Sequence, residues 1–127
     1  MLKQVSTADA SQPGGHYAQA LIHGDTLYIA GQLPINPASG EKILGSIEEQ
    51  AVQALNNLAA IVRAAGSDLN HVIRTTVYIS DIELWGRFNQ VYADFFGAHR
   101  PARSVVPVNE LHYGFLIEID AVAAVKD

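Results

Sequence analysis

Apolar positions along this chain follow two periods, and the switch between them marks out its elements. Ile47, Ala51, Leu55, Leu58, Val62 and Ala65 recur at helical spacing. Ser46 with Glu49 makes a capping box in front of them, and Gly66 a stop behind. A second helix leads from Ser80-Asp81 through Leu84, Trp85, Phe88, Val91, Tyr92, Phe95 and Phe96 to Gly97. Its aromatic series has the spacing of a buried face and reads as core. The remaining apolar runs are β-branched with period two: residues 17–23, 26–30, 71–80, 101–108 and 115–123, with 1–5 as a short edge strand. Gly24-Asp25 predicts a hairpin between the first two of these runs, Gly31 to Pro34 ends the second, and Asn36 to Gly40 forms a loop.

The element order is thus β-β-β-α-β-α-β-β. It predicts a two-layer α+β domain, 1–127, with about six strands in a mixed sheet and two helices on one face. The first helix is long enough for a right-handed crossover between parallel strands. Residues 101–123 carry charges that a core strand does not need. Arg103 is a lone cation in one run, while Glu118 and Asp120 are two apart in the next and so share a face. On one reading these charges occupy the wet face of an antiparallel pair. On the other, Arg103 and Glu118 converge at one site, the guanidinium gripping a carboxylate as a planar fork and the glutamate positioning water. The pattern alone is compatible with both.

Composition narrows the chemistry. The chain has 127 residues, 49% of them hydrophobic and 17% charged, an apolar balance that suits a subunit of an oligomer. Its net charge of −5 and singly scattered bases argue against nucleic acid as a partner. The absence of cysteine excludes disulfides, a thiol nucleophile and a thiolate metal site. Five histidines, His16, His23, His71, His99 and His112, fall in no metal-binding spacing. There is no serine-nucleophile elbow, and no glycine-rich phosphate loop. No stretch reads as a signal peptide or membrane span, so a cytoplasmic protein with no membrane partner is expected. Asn89 reads as an exposed helix residue and Tyr17 as a half-buried strand aromatic. Elimination leaves Arg103 with Glu118, a carboxylate-binding pocket without a cofactor.

Several segments in order then carry a resemblance: Gly15-His16-Tyr17, Gly31-Gln32-Leu33-Pro34, Asn89-x-x-Tyr92 with Phe95-Phe96, Pro101-Ala102-Arg103-Ser104, and Ile117-Glu118-Ile119-Asp120-Ala121. Together they resemble the RidA (YjgF, L-PSP) family of reactive-intermediate deaminases nearly end to end. The resemblance implies a chorismate-mutase-like fold and a homotrimer with clefts between subunits. It implies hydrolysis of 2-imino or 2-enamino acids to 2-oxo acids and ammonia, with no metal or organic cofactor. By the same resemblance Arg103 binds the substrate carboxylate, Glu118 orients water and handles protons, and Tyr17, Asn89 and Val105 lie in the substrate cleft. Ala30 and Val105 replace a serine and a cysteine common in close members, His16 replaces a proline, and His112-Tyr113 belongs to a differently composed loop. Two other functions remain beside the deaminase. One is a non-catalytic trimer that binds small carboxylates as a regulator. The other follows from older family names, ribonuclease or translation inhibitor, and the acidic balance opposes it.

Overall fold

The computed structural model describes residues 1–125. Six strands, β1 (Leu2–Val5), β2 (Ala20–His23), β3 (Thr26–Gln32), β4 (Val72–Ile79), β5 (Ala102–Pro107) and β6 (Ile117–Ala124), form one sheet in the order β1-β2-β3-β6-β4-β5. Helices α1 (Ile47–Ala64) and α2 (Trp85–Phe96) pack on one face, as the pattern predicts. The expected hairpin is there, with His23 paired to Thr26 across Gly24-Asp25. The second strand is shorter than its apolar run, and Tyr17 lies in the loop ahead of it.

The last two strands correct the sequence reading. They are not a pair: β5 runs parallel to β4 at the sheet edge, whereas β6 lies antiparallel between β3 and β4. Burial explains the choice. Residues Ile117, Ile119, Ala121 and Ala123 of β6 are all fully or almost fully buried, and only the sheet centre covers a strand so completely. The segment 101–107, with Arg103, Ser104 and two prolines, is half exposed and suits an edge. Strands β3 and β4 do run in the same direction, but β6 separates them.

Helix α1 forms as its ends dictate. Ser46 Oγ accepts from Glu49 N–H at 3.2 Å, and Glu49 Oε1 accepts from Ser46 N–H at 3.2 Å. Gly66 follows at φ +82°, a left-handed conformation that terminates the helix with little strain. The buried face, including Ala51, Leu55, Leu58, Ile61 and Val62, closes over Leu27, Ile29, Val77, Ile117 and Ile119. Two buried amides on α1 fix loops. Gln50 Oε1 accepts from Leu116 N–H at 2.8 Å, and Asn57 Nδ2 donates to the carbonyls of Leu33 and Ile35 at 3.1 and 2.9 Å.

Arg87 of α2 clasps Glu48 at the front of α1 with two bonds of 2.8 and 2.7 Å. The guanidinium holds the Glu48 carboxyl down at about 2, below its ordinary 4.5. A lowered carboxyl stabilises the fold above its unfolded value and loses that contribution as pH falls through the folded one. Arg87→Ala should therefore reduce Tm slightly at neutral pH, because the pair is exposed, and the difference from wild type should fade between pH 4.5 and about 2. Thermal melts across that window check this.

Candidate functional site

Strand register places Arg103 and Glu118 on opposite faces of the sheet. Arg103 stands opposite Thr75, whose hydroxyl meets Tyr92 Oη of α2 at 2.7 Å, so Arg103 points to the helix layer. Glu118 stands opposite Tyr78, whose hydroxyl donates to Asp120 Oδ2 at 3.1 Å on the face without helices. Both readings of these charges need correcting for a single chain. They do not share a wet face, and they do not converge.

Around Arg103 the helix layer builds a socket. Its Nη1 donates to Asn89 Oδ1 at 2.9 Å. Its guanidinium carbon lies 4.7 Å from the ring centre of Tyr92, 5.6 Å from Trp85 and 6.0 Å from Phe88. The aromatic series is therefore more than core: Phe88, Tyr92 and Phe96 are buried, but Trp85 is 40% exposed and forms a wall of this socket. Asn89 is a half-buried partner of Arg103 rather than a free surface residue. Val105, two residues along β5, is half-buried on the same face and packs against the core. Among the described residues no carboxylate pairs with Arg103. A cavity of about 500 Å³ opens beside it, bordered by Asn89, Tyr92, Phe96, His99 and Arg100.

The open face builds the other half. Between Ile29 and Gln32 the pairing of β3 with β6 slips, and Ala30-Gly31 bulge outward. A Cβ at Gly31 would meet Glu118 Oε2, so any other residue here would displace the Glu118 carboxylate. Burial pushes the Glu118 carboxyl above its ordinary range. His112 nearby opposes that shift and Asp120 adds to it. Gly31 borders a cavity of about 200 Å³ walled by Tyr17, Leu33, Ile35, His112 and Tyr113. The structure thus groups Arg103, Asn89 and Val105 in one place, and Glu118 and Tyr17 in another. Gly31, His112, Tyr113 and the Trp85 wall were not identified as site residues from the sequence. Gly31 lies in a segment carrying the resemblance, His112 and Tyr113 in the polar break before β6, and Trp85 in the aromatic series that the pattern assigns to the core. No group of three or more His, Asp or Glu residues could hold a metal among the described residues. Among the described residues no helix is long and apolar enough to cross a membrane.

This fold and these residues match a known group. The sequence profile described as Endoribonuclease L-PSP matches residues 7–125. The chain belongs to this family, the RidA/YjgF family. Within it, a RutC family protein of Pyrococcus horikoshii is 46% identical over 123 residues, covering 97% of this chain and 98% of the relative. The human 2-iminobutanoate/2-iminopropanoate deaminase is 41% identical over 119 residues, 94% of this chain and 87% of that protein. Among solved RidA/YjgF structures, E. coli TdcF with bound serine superposes with a TM-score of 0.93 at 35% identity, covering 98% and 99% of the two chains.

Proposed function

We propose that this protein hydrolyses reactive 2-imino and 2-enamino acids to 2-oxo acids and ammonia, in clefts that a homotrimer forms between its subunits. The observation that carries the reading is Arg103: a guanidinium held by Asn89 and three rings, bordering a cavity and, among the described residues, paired with no carboxylate. Such a group is prepared for a carboxylate supplied from outside. The deaminase name of a 41% identical human relative, and the amino acid bound to TdcF, support a small carboxylated substrate. A net charge of −5 gives the ribonuclease name little support.

Because Arg103 and Glu118 face opposite sides of one sheet, the reading requires that each cleft take Arg103 from one subunit and Glu118 from its neighbour. The guanidinium then fixes the substrate carboxylate and sets the imine carbon beside a water held by Glu118. Water oxygen adds to that carbon, and the C–N π pair moves onto nitrogen. Glu118 takes a proton from the water and passes it to the amino nitrogen. Glu118 then relays the proton of the new hydroxyl to the amino group, the carbonyl forms as the C–N bond breaks, and ammonia leaves. Every atom comes from substrate and water, and Glu118 ends as it began.

The test is a coupled assay in which an amino-acid oxidase generates 2-imino acids in place. Wild type should accelerate their decay and Arg103→Ala should not. Equal decay with wild type, with Arg103→Ala and without protein would overturn the reading.

A further inference from the structure

The cavity behind Gly31 has a shape that the reaction does not require. Hydrolysis needs room for a carboxylate, an imine carbon and a water, all of which Arg103 and Glu118 account for. An additional volume of about 200 Å³ is bordered by Gly31, the residue against which the Glu118 carboxylate lies. A substrate whose reacting carbon sits at Glu118 would have this space beside it for its side chain.

The side-chain amides of three glutamines and the Tyr17 hydroxyl around the cavity are engaged within the fold. Gln19 Oε1 accepts from Thr7 N–H at 2.7 Å, and Gln19 Nε2 donates to the Thr7 and Ser11 carbonyls. Gln12 Nε2 donates to Thr7 and Ala10 carbonyls, Gln32 Nε2 to the Ala30 carbonyl, and Tyr17 Oη accepts from Gly14 N–H. The faces left for a ligand are mostly apolar, the rings of Tyr17 and Tyr113 and the aliphatic chains of Leu33 and Ile35, with Ser11 and His112 at the polar part of the wall. Asn57 anchors the carbonyls of both aliphatic residues, so this wall is fixed by the core. Tyr113 closes the opposite side with φ +59°, a left-handed conformation rare for a residue with a bulky ring. Its ring is held there by Lys42 Nζ at 4.6 Å and by an edge contact with Phe115 at 5.8 Å between centres. A strained backbone that presents a 59% exposed ring to a cavity is poorly explained by packing alone.

We propose that this cavity is a side-chain pocket with Tyr113 as its specificity-determining wall, and that it selects 2-imino acids with aromatic or large branched side chains over those with one or two carbons. The proposal rests on the deaminase reading for its substrate class. An apolar cavity of about 150 Å³ holds a benzene ring, so this one accommodates a benzyl or isobutyl group. A methyl group would leave most of the wall without a partner.

The test separates binding from turnover. Calorimetry measures the affinity of stable 2-oxo acids, from pyruvate through 4-methyl-2-oxopentanoate to phenylpyruvate, and the coupled assay measures kcat/KM for the matching imines. Wild type should bind phenylpyruvate at least about tenfold more tightly than pyruvate, with kcat/KM rising in parallel. Tyr113→Gly, which removes the ring and suits the left-handed backbone, should collapse that ratio. Tyr113→Phe should retain it. A flat or falling series in wild type overturns the pocket, and a ratio unchanged in Tyr113→Gly overturns the role of Tyr113. A rising binding series without turnover of any imine would leave the pocket standing and overturn the deaminase reading instead. Turnover with a flat series would do the reverse.

Discussion

Arg103→Lys is expected to lower kcat/KM for every 2-imino acid by at least about 100-fold, close to the loss in Arg103→Ala. A lysine keeps the charge, so a site that needed only a cation would tolerate it. This site needs more than a cation. Asn89 Oδ1 fixes one edge of the guanidinium at 2.9 Å, and the Tyr92 and Trp85 rings flank it. The remaining edge of the fork is thereby aimed. An ammonium on a flexible stem has no plane for the rings to hold and cannot grip a carboxylate with two parallel bonds. A misplacement of about 1 Å at the reacting carbon is enough for a loss of this size. Steady-state kinetics decide the matter, and a lysine variant within about fivefold of wild type would be incompatible with a bidentate contact.

Glu118→Gln should lower kcat by about 10²–10⁴-fold, the usual contribution of a positioned acid or base, with a smaller effect on KM. The same substitution should raise thermal stability, and the sign follows from burial. The Glu118 carboxyl is pushed above 4.5 in the folded protein, chiefly because burial disfavours its charge. A carboxyl raised in this way stabilises the fold fully below its unfolded value and loses that contribution as pH rises through the folded one. The amide has no such loss. The Tm of Glu118→Gln should therefore match wild type below pH 4.5 and exceed it at neutral pH. The acid limb of the wild-type rate profile should likewise lie above the ordinary glutamate range. Melts and rate profiles on the same two proteins test both. A Tm gain with no loss of turnover would remove Glu118 from the chemistry.

Local signals made most of the fold legible. The Ser46–Glu49 capping box, the left-handed Gly66 and the Gly24-Asp25 hairpin are interactions between near neighbours in sequence, and each is in place. Strand partnership was not legible, because it is decided between distant residues. The runs 101–108 and 115–123 are neighbours in sequence, yet β6 leaves β5 to take the centre of the sheet. Arg103, opposite Thr75 of β4, faces the helix layer. A short edge strand carries too little alternation to declare its own face, so the sequence could not show that Arg103 would sit among Trp85, Phe88 and Tyr92. On β6, by contrast, strict alternation does declare the face, and Glu118 and Asp120 lie together as their spacing implies. His112 and Tyr113 sit in an irregular turn, where no periodicity exists to reveal what they border.

Mixing inactive proteins shows whether one cleft draws Arg103 and Glu118 from different subunits. Arg103→Ala and Glu118→Gln chains would be unfolded together in equal amounts, refolded, and assayed against each parent alone. In a trimer with random assembly, about a quarter of the clefts would recover both residues, so the mixture should regain about a quarter of wild-type activity. Activity that stays at the level of the two parents would mean that no cleft is shared in this way.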